Sequence, residues 1–271
     1  MVYIYTISAA TPPVVAYANL VYDSGASLTM MGFSVSGTVI SSAVYVFAGG
    51  PDGNSAYGVL YVYYCATATA SSCTKQYTTF STSYNFVGTA VSALPSVAMG
   101  VIAAPQSGSG SYHAAFWPCT YTTSATTVGS EVSMPYASSS VVAVALVSGT
   151  TNPVLIVGEK DTSAVYVYYC TSNTACSSYT TITGTASTYF GYSVSGVLVN
   201  GEIYVAIGAP AQTSGCMFSY FLCSLSFHSK CRCLAVHLPH NNGHRLRGLQ
   251  RQWCHGRFAF AHRGQWYIQR K

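Results

Sequence analysis

Val62-Tyr63-Tyr64-Cys65 returns as Val167-Tyr168-Tyr169-Cys170, and more loosely as Phe116-Trp117-Pro118-Cys119 and Tyr220-Phe221-Leu222-Cys223. The four cysteines are 54, 51 and 53 residues apart. A second landmark precedes each one: Gly49-Gly50-Pro51, Ala103-Ala104-Pro105, Val157-Gly158-Glu159 and Gly208-Ala209-Pro210. Two landmarks that keep step at one period mark an internal repeat, and a period of about 50 residues points to an array or a propeller. The repeated phrases are β-branched and aromatic, so the units are built of strands.

The last unit reads most clearly. Val194 to Val199 is a short β-branched run, Asn200-Gly201 is a two-residue hairpin signal, and Ile203-Tyr204-Val205-Ala206-Ile207 is a second strand. Pro210 removes a backbone donor and ends that strand, and Gln212 to Gly215 forms a polar loop. Met217 to Leu222 makes a third strand, and the preceding unit supplies a fourth at Ser178 to Ile182. Four short antiparallel strands per repeat match one propeller blade. Ala, Leu, Glu and Lys are scarce between the turns, which argues against helices.

The fold class expected is therefore all-β, a β-propeller seen as an incomplete ring of four-stranded antiparallel blades. The units run over 31–80, 81–127, 128–189 and 190–227. Residues 1–30 form the outer strands of a preceding blade, since Tyr3-Ile4-Tyr5 mirrors Tyr61-Val62-Tyr63.

Phe190-Gly191-Tyr192-Ser193-Val194, followed by Val205-Ala206-Ile207-Gly208-Ala209-Pro210, resembles the FG-GAP repeat, the blade of the integrin α-subunit propeller. Met31-Gly32-Phe33-Ser34-Val35, Val87-Gly88-Thr89-Ala90-Val91 and Val128-Gly129-Ser130-Glu131-Val132 are its weaker counterparts. The resemblance spans residues 31–223. It implies that Phe190 wedges between blades, that Gly191 permits close backbone approach, and that the chain is a non-catalytic extracellular binding or adhesion module. Many blades of that family carry an Asp-rich calcium loop between strands one and two. Residues 37–42 and 196–201, which correspond to it, contain no carboxylate. Calcium takes about six to eight oxygen ligands, several of them anionic, so no metal and no cofactor is expected.

Composition agrees with a secreted β-protein. Charged residues make up 6% of the chain, against about 25% in an average domain, and Ser, Thr and Tyr replace them. Residues 141–158 come closest to a membrane-length apolar run, but Ser148 to Pro153 divide them, so no membrane-spanning segment is expected. Met1-Val2-Tyr3-Ile4-Tyr5 lacks the basic stretch that opens a secretory signal. Ten cysteines suit an oxidising compartment. Cys65 with Cys73, and Cys170 with Cys176, have the spacing of a disulfide across a hairpin mouth, while Cys119 has no counterpart.

Catalytic signals are weak, and no catalytic residue is assigned. Only six acids are present; Glu159 and Asp161 are neighbours, but they flank Lys160 in a segment that reads as a surface loop. His113, the sole histidine before residue 228, reads as a loop residue. Residues 107–112 are Gly/Ser-rich without the lysine of a phosphate loop. The tyrosines suit packing between blades better than carbohydrate stacking. The ligand, an extracellular protein or a glycan, is expected at the loops on one end of the blades, at Asp52, Asn54, Tyr57, Gln106, Tyr112, Lys160, Asp161 and Gln212. A structural surface protein without a specific ligand, or a secreted carbohydrate-active enzyme, are the competing classes.

From about Ser224 the pattern stops. Residues 228–271 hold nine of the eleven Lys and Arg and no acid. Cys231, Cys233, His237, His240 and His244 are zinc-like in composition but match no finger spacing, and no nucleic-acid partner is assigned. Taking the last two bases of one codon with the first of the next gives another reading. Asn241 to Gly248 then permits Thr-Thr-Gly-Thr-x-Phe-Gly, which resembles Thr181 to Thr185 ahead of Phe190-Gly191. The tail is accordingly read as a fifth blade out of frame.

Overall fold

The computed structural model describes residues 2–7, 15–21, 31–51, 58–67, 73–80, 84–85, 87–94, 100–108, 111–121, 126–130, 132–134, 141–148, 152–172, 175–184, 188–210, 218–225, 231–238, 257–262 and 265–270. Among them every regular element is a strand, every strand pairing is antiparallel, and there is no helix. The all-β expectation holds.

A first pair, β1 (Val2–Ile7) and β2 (Val15–Val21), precedes the larger sheets. Sheet 1 follows as β3 (Ser34–Ile40), β4 (Ala43–Gly50), β5 (Val59–Cys65) and β6 (Thr74–Phe80), paired in chain order. Sheet 2 comprises β7 (Tyr84–Asn85), β8 (Ser92–Ala93), β9 (Gly100–Gly108), β10 (Ser111–Tyr121), β11 (Thr126–Val128) and β12 (Val132–Ser133). Sheet 3 is β13 (Val141–Val147), β14 (Val154–Glu159), β15 (Ala164–Ser172) and β16 (Ala175–Thr183). Sheet 4 is β17 (Ser193–Val199), β18 (Glu202–Gly208), β19 (Phe218–Leu225) and β20 (Cys231–Leu238). A last pair joins β21 (Arg257–His262) to β22 (Gln265–Arg270).

Successive sheets pack face to face. Strand side chains alternate between faces, and both faces of the inner strands are apolar. In sheet 1, Tyr45, Phe47, Leu60 and Val62 meet Val87, Val91, Ala115, Trp117 and Cys119 of sheet 2. The opposite face, with Val46, Ala48, Val59, Tyr61 and Tyr63, meets Val2 and Ile4 of β1. Sheet 3 divides the same way. Val144, Leu146, Leu155 and Val157 pack with Met134, Val132 and Leu94 of the sheet 2 region, while Ala145, Val147, Ile156 and Val167 pack with Phe190, Ile203, Val205 and Ile207 of sheet 4. Phe190 is buried in that last seam, as a wedge should be.

Glycine backbone sets the seams. Gly88 has φ +91, and its carbonyl lies over Gly49, where a Cβ would collide with it. Ser34 Oγ donates to that same carbonyl at 2.7 Å. A Cβ on Gly88 would stand 2.6 Å from Val59 O and 2.7 Å from Gly50 N. Gly191, φ +92, repeats the contact on Gly158, with Ala164 O and Glu159 N in the equivalent places. Each such glycine suits a backbone conformation that L side chains avoid. A second set of bonds runs between opening strands: Ala93 N donates to Ser36 Oγ at 3.3 Å, and Leu146 N to Ser92 Oγ at 3.0 Å.

Several unit assignments shift. Val132-Ser133 pairs with Phe116 and Ala115 on β10, so this stretch edges sheet 2, and sheet 3 starts at Val141. Gly129 is exposed and is not among the glycines at positive φ, unlike Gly32, Gly88 and Gly191. Pro51 and Pro210 are equivalent, because Ser34 pairs with Gly49 and Ser193 with Gly208. Pro105 is not. Cys119 pairs with Gly100 as Cys65 pairs with Val44, which aligns Pro105 with Gly49 and leaves it inside β9. Cys223 pairs with Val205, the counterpart of Val46, so it stands two residues out of step with Cys65.

The prolines explain why the flanks of sheet 2 are split. β8 pairs with Ile102 and Ala103 and β7 with Ser107 and Gly108, and the gap between them falls on Pro105. On the far side β12 pairs up to Phe116 and β11 from Cys119, and that gap holds Pro118. A proline lacks the N–H that continues a ladder. Two prolines in the inner strands thus divide both outer ones.

The pattern also continues past Ser224. β20 pairs with β19 from Phe218↔Leu238 to Leu225↔Cys231 and completes sheet 4, within the segment read as aberrant tail. Cys233-Leu234-Ala235-Val236 is apolar enough to serve as a strand, and the ladder itself asks only for backbone.

Both expected disulfides are present, Cys65–Cys73 and Cys170–Cys176. Cys119 is buried; its Sγ donates to Trp117 O at 3.4 Å, and its strand partner is Val128. Tyr45 is buried against the Tyr64 ring, with centroids 5.4 Å apart. That burial, with the Tyr64 charge second, raises its phenol above the ordinary 10.0.

Gly158→Ala should lower stability by about 1–3 kcal/mol, the usual range for overpacking, because the Gly191 backbone has nowhere to go. Gly37→Ala, whose Cβ would meet only Tyr45 O at 3.7 Å, should change stability by less than about 0.5 kcal/mol. Urea titration of the two variants checks the contrast. Replacing Cys170 and Cys176 together by serine should cost about 2–3 kcal/mol from loop-closure entropy; an unchanged urea midpoint would contradict it.

Candidate functional site

The expected ligand residues lie on or beside one kind of connection, from the second to the third strand of each sheet. Residues 51–58 join β4 to β5, 109–110 join β9 to β10, 160–163 join β14 to β15, and 209–217 join β18 to β19. Asp52, Asn54, Tyr57 and Gln212 lie outside the described residues. Gln106 and Tyr112 belong to strands rather than a loop: Gln106 is in β9 and Tyr112 in β10, paired with His113 and Ser107 respectively. His113 is likewise a strand residue. Gly108 pairs with Ser111, so both strands extend further than the Gly/Ser-rich composition suggests.

The β14–β15 turn is the described member of this set. Ser163 N donates to Lys160 O at 3.4 Å, and Ser163 takes φ +52. Asp161 is exposed and Lys160 half-buried at its tip. Glu159 corrects the surface-loop reading: it ends β14 with 1% of its surface exposed. It occupies the place of Gly50 in sheet 1, at the seam where Gly191 docks. Thr162 Oγ1 donates to Glu159 Oε2 at 2.8 Å, the kind of partner a buried carboxylate needs. Gly184 N donates to Ser163 O at 2.8 Å and ties the turn to the chain beyond β16. Ser163 Oγ is buried and has no hydrogen-bond partner.

The tyrosines sort as the sequence suggested. Tyr45, Tyr61, Tyr63, Tyr166 and Tyr168 are buried between sheets, and Tyr166, Tyr168 and Tyr179 form a ring cluster with centroids 5.4 to 6.5 Å apart. Tyr179 in β16, and Tyr189 and Tyr192 in the segment just before β17, are exposed.

The hairpins that correspond to calcium loops are tight turns instead. Ser41, Ser42, Asn200 and Gly201 have φ of 48, 75, 51 and 79. Both central residues are left-handed, as a two-residue hairpin of primed type requires. The neighbouring carboxylate, Glu202, accepts from Tyr204 Oη at 3.0 Å. Among the described residues no three His, Cys, Asp or Glu side chains come together as a metal-binding group, and no helix is long and apolar enough to cross a membrane. Cys231, Cys233 and His237 are in β20, while His240 and His244 lie outside the described residues.

No protein-family model matches this chain, and no curated protein does. Among solved structures, an α-L-arabinofuranosidase from Lactobacillus brevis is similar at a TM-score of 0.49 and 9% identity, over 72% of this chain and 67% of that one. A likeness this faint carries nothing about activity.

Thermal melts in EDTA and in millimolar calcium should overlay. A ligand at 100 times its Kd would add about 2.7 kcal/mol, so a clear rise of Tm with calcium would overturn the metal-free reading.

Proposed function

We propose that the stacked sheets are blades of an FG-GAP-like β-propeller and that the chain is a non-catalytic extracellular binding or adhesion module. The observation that carries this reading is the repeated seam. Gly88 on Gly49 and Gly191 on Gly158 use the motif glycine for the close backbone approach that the FG-GAP resemblance implies, and Phe190 fills the seam beside it. Such stacking consumes both faces of the inner strands of sheets 1 and 3, and binding falls to the connections at the sheet ends. Asp52, Asn54, Tyr57, Gln106, Tyr112, Lys160, Asp161 and Gln212 form the ligand surface, and its ligand is an extracellular protein or a glycan. The two disulfides agree with an oxidising compartment.

The purified chain should bind a restricted set of probes on arrays of glycans and of extracellular proteins. Lys160→Ala with Asp161→Ala should weaken binding to such a probe at least about tenfold, equivalent to 1.4 kcal/mol, and leave Tm unchanged. Turnover of an arabinoside or other glycan would favour the enzyme class. Binding that ignores the double substitution would remove this turn from the site.

A further inference from the structure

One face of sheet 4 is built to receive a sheet that the four described ones do not supply. Pairing aligns Ser193, Ser195, Val197, Val199 and Gly208 with Ser34, Ser36, Thr38, Ile40 and Gly49. In sheet 1 that set is the face turned to sheet 2. Ser34 bonds the Gly88 carbonyl, Ser36 bonds Ala93 N, Thr38 and Ile40 are buried, and Gly49 receives the glycine. In sheet 4 the same positions face outward: Ser193 and Ser195 are exposed, Val197 is 54% exposed and Val199 44%. The other side of β17, with Val194 and Leu198, packs on sheet 3. Sheet 4 therefore repeats the docking surface of sheet 1 without its partner.

We infer that this face seats the opening strand of a fifth repeat, and that the shifted reading frame of residues 248–255 spells that strand. Taking the last two bases of each codon with the first of the next, Trp253-Cys254 can encode only glycine, and Gln252-Trp253 only serine or asparagine. Cys254-His255 gives valine or alanine. Gly248-Leu249 permits glycine, Leu249-Gln250 phenylalanine or tyrosine, Gln250-Arg251 serine, and Arg251-Gln252 valine. The permitted string is Gly-(Phe/Tyr)-Ser-Val-Ser-Gly-Val, whose first glycine stands one position after the Phe-Gly that Leu246 to Gly248 permit and sets the register with Gly191. It matches Gly191-Tyr192-Ser193-Val194-Ser195-Gly196-Val197 throughout, and Gly32-Phe33-Ser34-Val35-Ser36-Gly37 over its length. Gly32 and Gly191 both take φ above +90 and donate N–H to the second strand of their own sheet, at Gly49 O and Gly208 O. A strand of this sequence brings the glycine carbonyl that Ser193 would bond and the backbone N–H that Ser195 would accept. The inference rests on the seams and not on the ligand surface, so either can fail alone.

The transcript across residues 240–271 is sequenced, and the full chain is compared with a full chain whose frame is restored after Leu238. The shifted frame is expected to read glycine, an aromatic, serine, valine, serine, glycine, valine; asparagine, aspartate or lysine at the serine and valine positions would overturn the inference whether or not either protein folds. In the frame-restored chain, amide exchange across β17 should slow at least tenfold and Tm should rise, and Val197→Asp should reverse both. The same substitution in the unaltered chain should leave Tm unchanged. Equal exchange in the two chains would overturn the proposal. So would an unaltered chain that self-associates and becomes monomeric with Val197→Asp, since the occupant of the face would then be a second copy.

Discussion

The contact between a left-handed glycine of one sheet and an extended glycine of the sheet before it sets two of the seams, between sheets 1 and 2 and between sheets 3 and 4. Backbone meets backbone at Gly88 on Gly49 and at Gly191 on Gly158, with no side chain between. Sheets that pack face to face normally stand about 10 Å apart, a distance set by interdigitating side chains. Here the glycine pair pulls the opening strand of one sheet onto the exit of the neighbour's second strand. The Ser34 and Ser36 bonds then hold the register between sheets. The N–H of Gly191 is tied to its own sheet (Gly191 N to Gly208 O, 3.0 Å) while its carbonyl lies on the preceding one, so this glycine joins sheet 4 to sheet 3.

This constraint accounts for the composition. An inner strand with apolar neighbours on both sides cannot carry charge on either face, since an unpaired buried charge is costly. Val59-Leu60-Tyr61-Val62-Tyr63 and Val154-Leu155-Ile156-Val157 are buried along their whole lengths. Polar chemistry is left to connections and edge strands, and these are rich in Ser and Thr. Tyrosine serves the seams well because its ring fills the space between sheets while its hydroxyl can reach an edge; Tyr63 Oη, for example, lies 3.6 Å from Met31 Sδ.

Much of this was legible wherever a residue's backbone role and its side-chain role coincide. Asn200-Gly201 declared its hairpin because few residues accept the left-handed conformation. The cysteine pairs declared their disulfides by spacing, and Phe190-Gly191 declared a seam by joining a large wedge to a residue without a Cβ. The third unit misled because Val128-Gly129 has the letters of the motif without its neighbours; the strands on either side of Gly129 pair with β10 and edge sheet 2. Pro105 and Pro118 misled in the opposite way. They look like strand terminators, yet they sit inside strands and break the adjoining ones instead, a consequence visible only once pairing is known. Glu159 looked like a surface acid because its sequence neighbours Lys160 and Asp161 are polar. β20 escaped notice because its partner strand, and not its own pattern, determines its place.

Glu159 also separates the third sheet from the others. At the position of Gly50 the chain places a carboxylate, buried at the Gly191 seam and held by the Thr162 hydroxyl. The turn that follows closes through Ser163 N to Lys160 O, and Ser163 O is anchored by Gly184 N. Each of these bonds has buried Glu159 or Ser163 as one partner, so the geometry of the tip is inherited from sheet packing and not from loop composition. Ordering a free loop on binding costs about 0.5–1.5 kcal/mol for each immobilised side chain. A tip already tied to the core avoids part of that cost, and Lys160 and Asp161 stand on it as adjacent opposite charges. In a chain with only 6% charged residues, a rigidly mounted pair of this kind gives the ends of the sheets a directional electrostatic feature that their Ser/Thr-rich surroundings lack.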